Sequence, residues 1–386
     1  MPLGGGTFQE MNKVIPGVYI NIDYQNDSLE GVTSGIVGCM IVTTQEVNEP
    51  VLSDVSNYIT KLNPFFADSQ AEKTVYNNYC KYVSDIFIHA TYVYLIPYHI
   101  VDGTNRTNKG EGDIEQLLWN LNLNVLVAFD YYATGLVGAG TSVPFIGGIT
   151  NILMNSSSRY PVLIGGNSLK QPLLDALTGS DPTIAKWIQV PFCVDNEVAD
   201  KEVFASVFFL AGVLSTFTVG QSLASVPYTG SLTCFDKWIP KTYQQQLRSI
   251  QRGQLCFYTL GNLTTPYVLK DITIMNWDAK SDGASFNVKS GPVVRIEQYL
   301  YRFFLELFQT QINGKPNSET QRSLIQARIY EELHHLNTLG VIDGYEQGDV
   351  TVDSVAGQEN REKILVTIKY KPNYGIDYVY INVLVN

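Results

Sequence analysis

Short apolar runs rich in β-branched residues alternate with amphipathic stretches through the first two thirds of the chain. The run at residues 34–44 predicts a buried strand, and residues 72–89 have the mixed spacing of a helix. Helices that alternate with short apolar strands favour a largely parallel sheet, so this region predicts an α/β domain. The further predicted strands are 91–97, 124–129, 160–164, 254–258 and 267–275, and the further predicted helices are 113–121, 145–156 and 200–219.

The pattern changes near residue 276, where we place a domain boundary. Residues 292–311 and 318–339 predict two long helices, separated by the turn-forming sequence Asn-Gly-Lys-Pro at 313–316. Gly340 is well placed to end the second helix, because glycine readily adopts the left-handed conformation of a helix C-terminus. A helical hairpin is the predicted result, followed by β structure.

Strand-like segments lie near both ends of the chain. Residues 18–24 follow the Pro-Gly pair at 16–17, and residues 364–370 and 378–385 each place apolar side chains on one face with a period of two. A terminal strand by itself leaves half of its backbone donors and acceptors unpaired. It must therefore join a sheet in its own chain or in a neighbour, and the residues alone leave both possibilities open.

Composition removes several classes of function. The 386 residues, 45% of them hydrophobic, suffice for two domains, and 37 acidic against 26 basic side chains oppose nonspecific binding to nucleic acid. The N-terminus lacks the basic-then-apolar layout of a secretory signal, so we expect the chain to fold where it is made. Five widely spaced cysteines without a Cys-x-x-Cys pair predict reduced core thiols. They are Cys39, Cys80, Cys193, Cys234 and Cys256.

One segment raises the question of a membrane span. Residues 203–235 contain no charged side chain. Hydroxyl side chains, the interruptions at Gly220 and Pro227, and the absence of flanking basic clusters favour a buried helix instead.

A serine motif offers an enzymatic alternative. Ser222, between Gly220 and Ala224, approaches the Gly-x-Ser-x-Gly nucleophile elbow of α/β hydrolases. The preceding residues predict a helix where that motif needs a strand, and alanine replaces the second glycine. Only His334 and His335 remain downstream as partners in a triad.

Metal and nucleotide motifs are also incomplete. Glu331 and Glu332 with His334 and His335 form two overlapping Glu-x-x-His spacings, but the preceding predicted helix supplies no histidine. The glycine-rich segment 135–148 does not match Gly-x-Gly-x-x-Gly. We therefore expect no catalytic residues, no metal and no cofactor. An α/β hydrolase-like enzyme using Ser222, or a nucleotide-binding enzyme, remains the rival hypothesis.

Several segments together resemble the contractile tail sheath family. The opening GGGTFQEMNKVIPGVYINI, at residues 4–22, is similar to the start of sheaths from phages and defective prophages of Gram-positive bacteria. AGVLSTFTVGQSLASVPYTG at 211–230 resembles a family segment in which a helix leads into Ser-Leu and Tyr-x-Gly, and LKDITIM at 269–275 resembles a family strand. Residues 293–345 and 364–386 are the most specific part, in the order helix, Gly-Lys-x-Asn, helix and paired strands.

The resemblance spans most of the chain. It implies an α/β fold for the middle domain and an α+β class for the chain as a whole. The implied fold comprises a subtilisin-like α/β middle domain without the triad, a C-terminal helical-hairpin and β domain, and extended strand arms at both termini. Many sheaths insert a β-rich module before the strand at 124–129, for which only residues 101–112 are available here. The predicted parts are an N-terminal arm at 1–22, an outer domain at 23–275, a tube-facing domain at 276–373 and a C-terminal arm at 374–386.

The resemblance also implies a structural function. A sheath protomer polymerises with itself into a helical cylinder of stacked rings around an inner tube, and contraction drives the tube through a target envelope. The implied partners are the tube, baseplate and tail terminator proteins, without direct nucleic-acid binding or membrane insertion. Assembly would take place in the bacterial cytoplasm, followed by a place in a virion tail or a released particle. The sequence does not distinguish an infectious phage from a tail-like bacteriocin or another contractile injection device.

Two sets of residues follow from this resemblance as candidate contacts. The terminal arms would be donated to sheets of neighbouring subunits, and the second long helix would face the tube. The arm candidates are Val18, Tyr19, Ile20, Asn21, Tyr378, Tyr380, Ile381 and Val383, and the tube-facing candidates are Arg322, Arg328, Glu331 and Glu332.

Overall fold

A computed structural model describes most of the two predicted domains. The arm candidates, the predicted helix at 145–156, the glycine-rich segment 135–148 and most of 113–121 lie outside the described residues. The described residues are 35–43, 49–99, 123–130, 160–166, 188–191, 205–231, 242–251, 253–259, 264–276, 289–355 and 363–373, together with 45, 47, 118 and 121.

A seven-stranded sheet organises the first part of the chain. Its order is β2-β3-β1-β4-β5-β6-β7, and every neighbouring pair is parallel except β2 with β3. The predicted α/β class is therefore confirmed. The strands are β1 (Ile36–Thr43), β2 (Val51–Ser53), β3 (Tyr92–His99), β4 (Val125–Asp130), β5 (Val162–Gly166), β6 (Ile188–Pro191) and β7 (Gln254–Leu255).

Both described edges of this sheet are short. The edge strand β2 has three residues and is antiparallel to its neighbour β3. Strand β7, at the opposite edge, has two residues. The backbone carbonyl of Leu52 in β2 accepts a hydrogen bond from Lys61 Nζ at 2.5 Å. A lysine from the following helix thus occupies an acceptor on the edge strand.

The helices that accompany the sheet within the described residues are α1 (Tyr58–Leu62), α2 (Gln70–Ile86), α3 (Ser206–Thr216) and α4 (Tyr243–Gln251). Helix α2 begins two residues before the predicted start because Ser69 caps it, accepting from the backbone N–H of Glu72 at 3.2 Å, and it ends three residues before the predicted end. Residues 206–215 of α3 are all buried, as expected for a core helix. In the described part of the chain, no helix combines the length and apolar character that crossing a membrane requires.

The packing of α2 against α3 leaves no room for a side chain at Gly212. A Cβ there would lie 2.5 Å from the backbone oxygen of Ile86. Beside this contact, the Phe208 ring stacks on Tyr82 with centroids 5.6 Å apart. The absence of a side chain at Gly212 therefore permits the close approach of the two helices.

The cysteines agree with the prediction as far as the structure describes them. Cys39 and Cys256 are buried and Cys80 is half-buried, and all three are free thiols. Burial raises the pKa of the Cys256 thiol to about 12, so it stays protonated at neutral pH. Cys193 and Cys234 lie outside the described residues.

The predicted helical hairpin is confirmed. Helix α5 (Gly291–Leu307) continues into one π-helical turn, Phe308–Ile312, and α6 (Glu319–Thr338) follows after a short loop. Ser318 caps α6 by accepting from the backbone N–H of Gln321 at 3.2 Å. Gly340 follows the helix with φ +66°, the left-handed conformation predicted for it.

The hairpin and the following strands form a second hydrophobic core, separate from the core around the large sheet. The alternation predicted for 364–370 is confirmed, because Ile364, Val366, Ile368 and Tyr370 all pack against this second core. Val219, far earlier in the chain, also belongs to it. The strands here are β10 (Ile342–Gly344), β11 (Val350–Ser354), β12 (Ile364–Ile368) and β13 (Lys371–Pro372).

The strand predicted over 267–275 is wrong for most of its length. Strands β8 (Phe257–Thr259) and β9 (Pro266–Val268) form a hairpin, but after Val268 only an isolated bridge from Ile272 to Ser290 occurs. A 3₁₀ turn, Ile274–Asn276, then follows. The physical reason is that successive backbone groups find partners in different segments: Leu269 donates to Cys256 and Thr273 to Lys289.

We predict that Gly212→Ala destabilises the protein, although alanine is the better helix former by about 1 kcal/mol. The new methyl group would overlap the Ile86 carbonyl, and overpacking of a core typically costs about 1–3 kcal/mol. Equilibrium denaturation measures the change. Ser323→Ala, on the exposed side of α6, is the control and should leave stability unchanged or slightly raised. A Gly212→Ala variant as stable as the native chain would show that α2 and α3 can separate without loss.

Candidate functional site

The candidate residues on α6 fall into two groups. Arg322 and Glu332 are half-buried and engaged within the subunit: Arg322 donates to Asn317 Oδ1 at 2.8 Å, and Glu332 accepts from the Tyr299 hydroxyl at 2.7 Å. The hydrogen bonds of these two residues within the subunit leave them less available for outside contact, and the prediction that all four face the tube stays a prediction. Arg328 and Glu331 are exposed and form an ion pair with each other.

An exposed stripe runs along α6 between the residues that face the second core. Ile325, Ile329 and Leu333 are buried, whereas Leu324 remains 60% exposed. Arg328, Glu331 and His335 are also exposed and recur with Leu324 at the three- and four-residue spacing of one helix face. This face combines a large apolar side chain with both signs of charge, a composition suited to contact with another protein surface.

The rival serine site lacks the geometry of a nucleophile. Ser222 follows a helix and a turn, as expected, and its hydroxyl accepts from the backbone N–H of Ala224 at 3.1 Å. His334 and His335 lie exposed on α6. Within the described ranges, no group of three or more metal-ligating side chains occurs. The hydroxyl of Ser222 thus serves a local turn.

A buried polar junction lies between the two hydrophobic cores, centred on Asp271. Its Oδ2 atom accepts from Arg295 at 2.5 Å and from the backbone N–H of Leu223 at 2.7 Å. Its Oδ1 atom accepts from Gln189 Nε2 at 2.6 Å and from the second terminal nitrogen of Arg295 at 3.4 Å. A carboxylate offers about four acceptor positions, so all of them are filled.

Arg295 completes the junction from the first turns of α5. Besides Asp271, its guanidinium donates to the backbone carbonyl of Gln221 at 2.5 Å and to Gln189 Oε1 at 3.2 Å. Arg295 and Asp271 are both almost fully buried, at 7% and 4% exposure. Helix α5, the loop after α3, strand β6 and the segment after β9 therefore meet at one ion pair.

A second arginine on α5, Arg302, also forms a hydrogen bond with the α/β part of the chain. Arg302 follows Arg295 by seven residues, or two helical turns, and donates to the backbone carbonyl of Leu123 just before β4 at 2.8 Å. Burial lowers the pKa of the Arg302 guanidinium. Meanwhile Ile296 and Leu300 of the same helix lie in the second core. Helix α5 is thus the element that connects the two cores.

Close packing around the ion pair depends on Gly291, the first residue of α5. A Cβ at this position would overlap both Asp271 Oδ1 and Gln189 Nε2. The sequence pattern places Asp271 within a predicted strand and does not single out Arg295 or Gln189. The available signal was a charged residue among apolar ones: Asp271, next to Lys270, within LKDITIM, and Arg295 within PVVRI.

Comparison with known proteins identifies the last quarter of the chain most directly. Residues 288–386 match the family described as phage tail sheath C-terminal domain. A search of curated proteins finds no significant match to the sequence.

Solved structures share the fold over nearly the whole chain. The sheath of the extracellular contractile injection system PVC, in its contracted state, is 15% identical with a TM-score of 0.61, covering 97% of this chain and 98% of that one. The helical sheath of the anti-feeding prophage, also contracted, is 14% identical with a TM-score of 0.60, covering 97% and 100%. A sheath tail protein from Desulfitobacterium hafniense is 12% identical with a TM-score of 0.58, covering 95% and 99%.

We predict a large difference between the buried and the exposed ion pair. Asp271→Ala leaves the guanidinium of Arg295 buried without its anion and should cost about 3–5 kcal/mol of stability. Glu331→Ala removes one partner of an exposed pair within α6, and its cost should stay below about 1 kcal/mol. Urea denaturation of both variants makes the comparison. Similar losses in both would mean that water reaches the Asp271 junction.

Proposed function

We propose that this chain, which carries the phage tail sheath C-terminal domain at residues 288–386, is a structural protomer of a contractile tail sheath. It polymerises into a helical cylinder around an inner tube and shortens to drive the tube through a target cell envelope. The observation that carries the proposal is the sheath fold over 97% of the chain, which joins the family-matched C-terminal part to the α/β part in one architecture. The resemblance read from the sequence is confirmed.

The proposed partners follow the same assignment. The chain binds further copies of itself in stacked rings, the inner tube protein, and the baseplate and tail terminator proteins, with no direct contact to nucleic acid and no insertion into a membrane. It assembles in the bacterial cytoplasm and then forms part of a virion tail or a released particle. Its role is mechanical, and the turn contact of Ser222 supports this over the hydrolase alternative.

In this proposal the terminal arms connect neighbouring subunits. Two segments would each add a strand to a neighbour's sheet: residues 18–22 and residues 378–385. Such a strand needs no pocket, because main-chain hydrogen bonds supply the affinity. The exposed stripe of α6 would face the tube, with Arg328 and Glu331 available for contact and Arg322 and Glu332 supporting the helix from inside.

The arms are tested by deletion. Removing residues 1–22 or 374–386 should leave a folded, soluble body but abolish long cylinders, because several backbone hydrogen bonds of about 1 kcal/mol net each are lost at every subunit. Tyr380→Pro should act similarly, whereas Tyr380→Phe is the mild control. Negative-stain microscopy and sedimentation decide the outcome. Long cylinders from both deleted chains would show that the arms pair within their own subunit.

The tube contact is tested by charge reversal at the exposed position Arg328. Arg328→Glu should weaken co-assembly with the tube protein, and the effect should be larger at low salt, since ions screen exposed charges. Arg328→Glu combined with Glu331→Arg is the matched control for helix stability, because the swap keeps an ion pair on α6. Co-sedimentation across a salt series gives the measurement. Full co-assembly by the single variant at every salt concentration would remove this face from the tube contact.

A further inference from the structure

Stability alone does not explain why a buried ion pair, Asp271 with Arg295, occupies this position. A buried pair must offset the loss of water around two charges, and replacing such a pair by apolar residues of similar volume is often neutral or stabilising. The pair lies between apolar side chains, with Ile272 in the first core and Ile296 in the second. Charge is therefore not needed to fill the space, and the hydrogen bonds of the pair to Gln189, Gln221 and Leu223 offer another explanation.

The ion pair differs from an apolar contact because its hydrogen bonds depend on the direction between donor and acceptor. Hydrophobic contact tolerates rotation and sliding, whereas hydrogen bonds weaken steeply when the donor angle falls. The Asp271 carboxylate receives donors from Gln189, Leu223 and Arg295, which lie 82, 48 and 24 residues away along the chain. A rotation of α5 that preserved the apolar contacts would misalign several of these bonds at once.

The approach of α5 is restricted sterically as well. Gly291 lies against the carboxylate so closely that a Cβ would overlap it. One face of the helix is thereby held at Asp271, and the same face is held two turns later by the bond from Arg302 to the Leu123 carbonyl. Two anchor points along one helix define its axis relative to the sheet.

We propose that the Asp271–Arg295 pair is an orientation lock, which sets a single angle between the sheet and the helical hairpin. The lock concerns the subunit itself and holds whether or not the chain forms a sheath. Where it does, the lock has a collective consequence that rests on the proposed function. Each subunit must present its two parts at the same angle, because an angular error in one subunit is passed to its neighbours along the lattice.

The test replaces the charges while keeping the volume. Asp271→Leu with Arg295→Met should fold with a lowered unfolding midpoint, because Gln189 and the backbone groups of Gln221 and Leu223 lose their partners, and should also lose the single angle. Spin labels carried by non-natural amino acids at the exposed positions Thr74 on α2 and Ser323 on α6 report the distance between the two parts. The labelled full-length chain is diluted into a large excess of unlabelled chain, so that distances within one subunit dominate.

The native chain should give one narrow distance distribution, and the double variant a distribution broadened about twofold or one with a second maximum. A distribution as narrow as the native one, at the same distance, would overturn the proposal. Lys315→Met, with the ion pair intact, is the control for removal of a cation from an exposed position of the hairpin, and should leave the distribution as narrow as the native one.

Should the double variant fail to fold, Arg295→Lys decides the question. Lysine retains the positive charge but cannot make the two parallel bonds of the guanidinium. A broadened distribution in this folded variant supports the lock, and an unchanged one overturns it. Failure of the sheath proposal would appear separately, as an absence of cylinders from a native chain whose distance distribution is narrow.

Discussion

The demand of one buried carboxylate for donors shapes the middle of this molecule. Asp271 needs its acceptor positions filled because water cannot reach it, and the donors come from β6, from the loop after α3 and from α5. The backbone beside it is not a strand, because Leu269 and Thr273 donate to two different segments. Gly291 must stay free of a side chain because a Cβ there would overlap the carboxylate. The path of several segments thus follows from satisfying one charge.

Elements whose burial is decided locally could be predicted from the sequence. Strands β1 and β4 are continuous apolar runs, α2 carries its own serine cap, and Gly340 marks the end of α6 by its conformation. Each of these signals lies within the element that it defines. Their agreement with the structure reflects local and global preferences that point the same way.

The junction could not be predicted in this way, because its members are far apart in sequence. No periodicity relates Gln189 to Asp271, and an aspartate within LKDITIM is compatible with a strand until its partners are known. The exposed face of α6 was predicted only in part for a related reason. Helical spacing places Arg328 and Glu331 on one side, but the inward contacts of Arg322 and Glu332 depend on Asn317 and Tyr299.

The short edges of the seven-stranded sheet bear on how such a subunit behaves at high concentration. A long open edge invites any other strand to pair with it, which leads to disordered aggregates. Here β2 offers three residues and β7 two, and Lys61 already occupies the Leu52 carbonyl. Within the part of the chain that the structure describes, the edges of the central sheet therefore offer little free backbone through which two copies could fuse edge to edge.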